Sequence, residues 1–262
     1  MNPRNSIIAG IFDAWAYNES MNRIKDDFKS EDYYRERLSR LREEVAHYES
    51  TFESGEVKDE VYYYSLLADR YLKIFRLSYL LGLELVELRA IADHYCDVLI
   101  SLSELDNLTF NQSLDALSLT ILLGLDNERA KKISAKMPDE DIVDVVYGSL
   151  RNYILTGEAW TDKEFYLLPT GYYRDGVKTY DGGLVELVKT KNPIECQKIF
   201  INYLDGKIDD FHDRLLRHYG EQGEEHYLYT GAFFLELTAF AKIRDLVCAE
   251  VARSPYIADD LL

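Results

Sequence analysis

Glu44 and His47 stand three residues apart, the Glu-x-x-His spacing with which helical di-iron carboxylate bundles present a carboxylate and an imidazole on one face. A di-metal site of that kind needs a second copy and two further glutamates. The nearest second copy is Asp209-x-x-His212, which carries aspartate where the pattern has glutamate. A charged surface helix with an incidental histidine accounts for both pairs more simply. His94 and Cys96 lie two apart and point to different sides of a helix, so packing at the core or its boundary is expected of them. The chain holds no Gly-x-x-x-x-Gly-Lys loop, no Gly-x-Gly-x-x-Gly, no Gly-x-Ser-x-Gly and no His-Glu-x-x-His. With His212, His218 and His226 at no catalytic spacing from a serine or cysteine, no catalytic residue, cofactor or metal ligand is assigned.

The acidic and aromatic clusters point instead to a protein partner. Asp205, Asp209 and Asp213 recur every fourth residue and form one stripe on a helix, with Asp210 beside it. Like charges at this spacing cost about 0.2–0.5 kcal/mol per pair, so the stripe is read as a docking surface. The competing explanation pairs Asp210 with Arg214 and Asp213 with Arg217 at the same spacing. Asp139, Glu140 and Asp141 form a second cluster, although acids in a first helical turn already complement the helix dipole. Tyr172, Tyr173 and Arg174 form a third, since tyrosine and arginine supply large contact area with a polar end. Glu236 is a lone acid among Phe233, Phe234, Leu235, Leu237 and Phe240. A buried carboxylate must find a partner or shift its protonation, and pairing with a Lys, Arg or Tyr is expected.

Helices must carry nearly all of these residues. Apolar positions at Leu204, Ile208, Phe211 and Leu215 alternate steps of four and three, the period of one helix face. Helices are expected near 31–54, 56–81, 84–105, 111–124, 126–136, 139–156, 182–190, 193–220 and 228–252. Ser30, Asp126 and Asn192 mark starts, the last followed by Pro193 at a first helical position. The element Leu80-Leu81-Gly82-Leu83 returns forty-two residues later as Leu122-Leu123-Gly124-Leu125, which predicts helical hairpins ending at glycine caps. The fold class that follows is all-α, a compact multi-helix bundle of antiparallel hairpins. It divides into an N-terminal half, 1–137, and a C-terminal half, 138–262, within one compact unit. Residues 157–183 are the exception, a long aromatic-rich loop in which Trp160 and Phe165 plug the core.

Forty-seven acidic against thirty basic residues give a net charge of -17, spread along the chain rather than gathered in a tail. Such a field repels nucleic acid and anionic membrane and steers a basic protein inward. No signal peptide is read at the N-terminus, and no stretch approaches the roughly eighteen apolar residues of a spanning helix. Three separated cysteines, Cys96, Cys196 and Cys248, argue against disulfides and fit a reducing cytoplasm.

Residues 227–262 add a family resemblance. Tyr229, Gly231, Phe233, Glu236, Ala239, Ala241 and Lys242, then Pro255, Tyr256, Asp260 and Leu261, resemble the C-terminal signature of the PoNi-like immunity proteins, which neutralise polymorphic nuclease toxins exchanged between bacteria. The resemblance implies an immunity protein whose partner is a cognate toxin, a basic nuclease domain whose active or DNA-binding surface it masks. It also implies that Gly231, Phe233 and Glu236 belong to the scaffold. The alternatives are a helical metal-dependent enzyme using Glu44 and His47, and a helical-repeat scaffold for a peptide.

Overall fold

A computed structural model describes residues 30–137, 145–159, 184, 187, 192–217, 233–254 and 256–262, with side chains on the 193–217 helix described as far as residue 209. Every regular element among them is helical, and none is a strand. In chain order they are α1 (Glu31–Glu53), α2 (Glu60–Leu80), α3 (Leu85–Glu104), α4 (Phe110–Leu123), α5 (Asn127–Ser134), α6 (Val145–Thr156), α7 (Pro193–Arg217), α8 (Leu235–Ile243) and α9 (Ala249–Arg253), then a 3-10 turn at Asp259–Leu261.

The helix starts follow from side chains that accept otherwise orphaned amide protons. Ser30 Oγ accepts from Tyr33 N at 3.3 Å, Asp59 Oδ1 from Tyr62 N at 2.9 Å and Asn192 Oδ1 from Ile194 N at 3.0 Å. At α4 the capping is reciprocal: Thr109 Oγ1 accepts from Gln112 N, and Gln112 Oε1 accepts from Thr109 N. Both repeated glycines end a helix in the left-handed region, Gly82 at φ 73° and Gly124 at φ 63°. The closures match as well, with Leu83 N donating to Ser78 O and Leu125 N to Thr120 O.

Short connections fold α1, α2 and α3 back on one another. Phe52 of α1 stacks on Tyr63 of α2 at 4.5 Å, while the Tyr71 hydroxyl donates to Glu49 at 2.7 Å, the pairing order of antiparallel helices. The centre of the bundle is α4, buried almost all round over residues 116–123. Its hydroxyls turn back on their own helix, Ser118 to Leu114 O and Thr120 to Ala116 O, so the core holds them without unmet donors. Around α4 pack α3, α5, α6 and α8. Residues of both chain halves therefore share one core.

The C-terminal region departs from its expected single helix over 228–252. Residues 233 and 234 lie outside any helix, with Phe234 extended, and α8 stops at Ile243, where Asp245 adopts φ 53° and Leu246 N closes onto Ala241 O at 3.0 Å. A carboxylate side chain tolerates that conformation better than a branched one. The loop expected at 157–183 lies outside the described residues beyond Ala159.

Candidate functional site

Phe233, Lys242, Tyr256, Asp260 and Leu261 of the last segment pack onto α2, α4 and one another. Phe233 lies 4.4 Å from Tyr79 of α2, ring to ring, and its carbonyl accepts from Arg76 Nη1 at 3.0 Å. The Arg76 guanidinium also sits 5.5 Å from the Phe233 ring centroid, a cation–π contact. Phe234 N donates to Tyr256 O at 2.8 Å, and the two rings stack at 5.6 Å. Lys242 Nζ donates to Leu261 O at 2.8 Å and to Leu122 O at 3.3 Å, binding the end of α4 to the 3-10 turn. Burial lowers its pKa, a cost that those two carbonyls offset. Asp260 Oδ1 accepts from the Tyr79 hydroxyl, and Thr238 Oγ1 from Ala258 N. Ala239 and Ala241 are fully buried, where a larger side chain would hold α8 off its neighbours.

Glu236 occupies the first turn of α8 and is partly exposed. Its charge acts on Asp115 of α4. Burial pushes the Asp115 carboxyl up to about 7; Arg76 opposes that rise and Glu236 adds to it. Sequence reasoning singled out Glu236 and missed Asp115, Arg76 and Tyr95. Asp115, between Leu114 and Ala116, is the sole charged residue of α4, and that was the available signal.

The acidic stripe stands on the opposite kind of surface. Asp205 and Asp209 are exposed one turn apart on α7, and neither takes part in an ion pair with a described residue. Asp210 and Asp213 continue that helix, with side chains beyond the described part. Between the two exposed acids, Lys207 turns to the Tyr203 ring at 5.5 Å. Phe200 on the buried face of α7 meets Phe240 of α8 at 6.0 Å, which fixes how the stripe is presented. Asp139, Glu140, Asp141, Tyr172, Tyr173, Arg174 and Gly231 lie outside the described residues.

The metal-ligand spacing does not assemble a site among the described residues. Glu44 accepts from Arg70 Nε at 2.5 Å, and His47 is exposed beside Tyr48. No group of three or more His, Cys, Asp or Glu side chains stands at metal-binding distance among those described. The 94/96 pair splits: Cys96 is buried, with its thiol pushed up to about 12 by that burial, whereas His94 is exposed and stacks on Tyr71 at 5.7 Å. No described helix is long and apolar enough to cross a membrane.

A scan against protein-family models, a search of curated proteins and a search of solved structures return no match to this chain.

Proposed function

We propose that this chain is an immunity protein that binds one cognate bacterial nuclease toxin and masks its active or DNA-binding surface. The observation that carries the reading is the convergence of Phe233, Lys242, Tyr256, Asp260 and Leu261 into one packed assembly on α2 and α4. That the described residues among those carrying the resemblance pack together supports a scaffold role for them. That leaves recognition to exposed surface.

The exposed pair Asp205 and Asp209 supplies such a surface, and the net charge of -17 suits a basic partner. Charge complementarity of this kind raises association rates toward about 10⁸ M⁻¹s⁻¹ at low salt. Cytoplasmic residence belongs to the same proposal, because the toxin must be met where it acts.

Co-expression with the toxin domain encoded immediately upstream tests the reading. Restored growth supports it, and continued killing with both proteins present sinks it. Replacing Asp205, Asp209 and Asp213 together by Asn is expected to lower the on-rate about tenfold and to flatten its salt dependence, with stability unchanged. Unaltered association kinetics would move the interface away from α7.

A further inference from the structure

The acids of α1 change company along the helix. Glu31 pairs with Arg35, Glu36 with Arg40 and Glu44 with Arg70. Glu49 and Glu53, and Glu56 in the turn after them, are exposed, and none forms an ion pair with a described residue. Local structure works against these three. Glu49 and Glu53 stand four residues apart, where like charges repel. Glu53 also falls in the last turn of α1, which holds no basic residue and where the helix dipole disfavours an anion. Lys58, the one cation of the 54–59 connection, enters no ion pair with a described residue either.

The same hairpin tip carries a cluster of rings. Phe52 of α1 stacks on Tyr63 of α2 at 4.5 Å, with the ring planes 10° apart, and meets Tyr64 at 5.8 Å. Tyr63 is buried, whereas Phe52 and Tyr64 keep one part of each ring open to solvent. Tyr62, beside them in the first turn of α2, is 63 % exposed. A core residue would not be left so open, and a ring of that size with nothing over it is a feature of contact surfaces. The acids are held close by. Glu49 accepts from the Tyr71 hydroxyl at 2.7 Å, which fixes its carboxylate against α2. Gly55 turns the chain at φ 75°, and Gly55 N to Phe52 O and Glu56 N to Thr51 O close the end of α1, so Glu56 follows directly on the rings.

We infer that the tip of the α1–α2 hairpin docks an arginine-bearing basic segment of a protein partner, with a guanidinium on the exposed tyrosine ring and its N–H donors on the carboxylates around it. Charge complementarity selects this occupant. Three exposed carboxylates without a described counter-ion repel a phosphate backbone or an anionic lipid surface, and a second copy of this chain brings the same acids. An apolar partner would bury those carboxylates unpaired. Arginine suits the pairing better than lysine, because its planar group stacks on an aromatic face and donates a fork of hydrogen bonds to carboxylates at the same time. This surface is separate from the acids of α7, and the inference assumes nothing about a toxin, so it stands or falls apart from the immunity reading.

Titration of the ¹⁵N-labelled full chain with hexaarginine, followed by NMR, tests this. At about 0.15 M salt, exposed charges more than about 8 Å apart are largely screened, so the net charge of -17 does not by itself gather the peptide at one place. Shift changes are expected to cluster on residues 49–64, and hexalysine is expected to bind more weakly. Tyr62→Ala should weaken hexaarginine binding about two- to fivefold. Glu53→Gln with Glu56→Gln should weaken it about tenfold while leaving Tm unchanged or higher, since the double variant removes a repulsion rather than a support. Shift changes that spread over the chain or centre on α7, equal binding of the two peptides, or unaltered affinity in both variants overturns the proposal. So does self-association of the wild type that Tyr62→Ala abolishes in sedimentation, which would make the occupant a second copy.

Discussion

The hydroxyl of Tyr79 donates a 2.5 Å hydrogen bond to Oδ1 of Asp260, joining positions 181 residues apart. The same ring packs against Phe233, so one side chain of α2 holds both ends of the C-terminal segment. Tyr79→Phe keeps the ring and deletes the bond. Because Asp260 is exposed, the loss is expected at the low end for a bond to a charged group, about 1–1.5 kcal/mol. Urea unfolding measures it. Asp260→Asn should cost less than Tyr79→Phe, since an amide oxygen still accepts the bond, and a larger loss would place the role of Asp260 elsewhere.

Lys242 donates to two part-buried backbone carbonyls. Lys242→Met preserves the aliphatic stem and leaves the Leu122 and Leu261 carbonyls without this donor. A loss of about 2 kcal/mol is expected, which for a chain of this size lowers Tm by roughly 5 °C. A melting point unchanged within a degree by calorimetry would show that the ammonium contributes no net stability.

Asp115→Asn should change sign of effect with pH. The raised carboxyl contributes stability fully below the unfolded value near 3.9 and loses it as pH rises through about 7. At pH 4 the substitution is therefore close to neutral. At pH 8 it stabilises, by about 1–3 kcal/mol once the partial solvent contact of Asp115 is allowed for. Thermal melts of both proteins at the two pH values decide it; a variant less stable than wild type at pH 8 contradicts the sign.

The cysteines should separate by reactivity. Cys96 and Cys196 are buried, and burial holds the Cys96 thiol at about 12, whereas Cys248 is partly exposed. A thiol reagent at pH 8 is expected to modify Cys248 in the native protein and the other two only after unfolding. Peptide mass spectrometry identifies the modified positions, and native labelling of Cys96 would contradict its burial.

Periodicity and caps made most of the bundle legible in the sequence: Ser30, Asp126 and Asn192 start helices, and Gly82 and Gly124 end them. The break at Asp245 was hidden, because no glycine marks the left-handed position that ends α8. Glu236 stood out as an acid among aromatics. That its charge acts on Asp115 was not legible, since this depends on how α8 lies on α4, which local spacing does not encode. The packing of Phe233, Lys242 and Tyr256 onto α2 and α4 could not be read from their spacing, while the acidic stripe was legible as a pattern whose lack of described ion pairs at Asp205 and Asp209 only coordinates reveal.

The anchoring of residues 233–262 onto α2 and α4 has a consequence for synthesis. Tyr79, Arg76 and Leu122 at the end of α4 leave the ribosome 181, 157 and 120 residues before their partners Asp260, Phe233 and Lys242. At about 5–20 residues per second, the apolar surface that α8 later covers waits on the order of ten seconds. During that interval the uncovered apolar surface is open to aggregation, and only the arrival of residues 233–262 closes it.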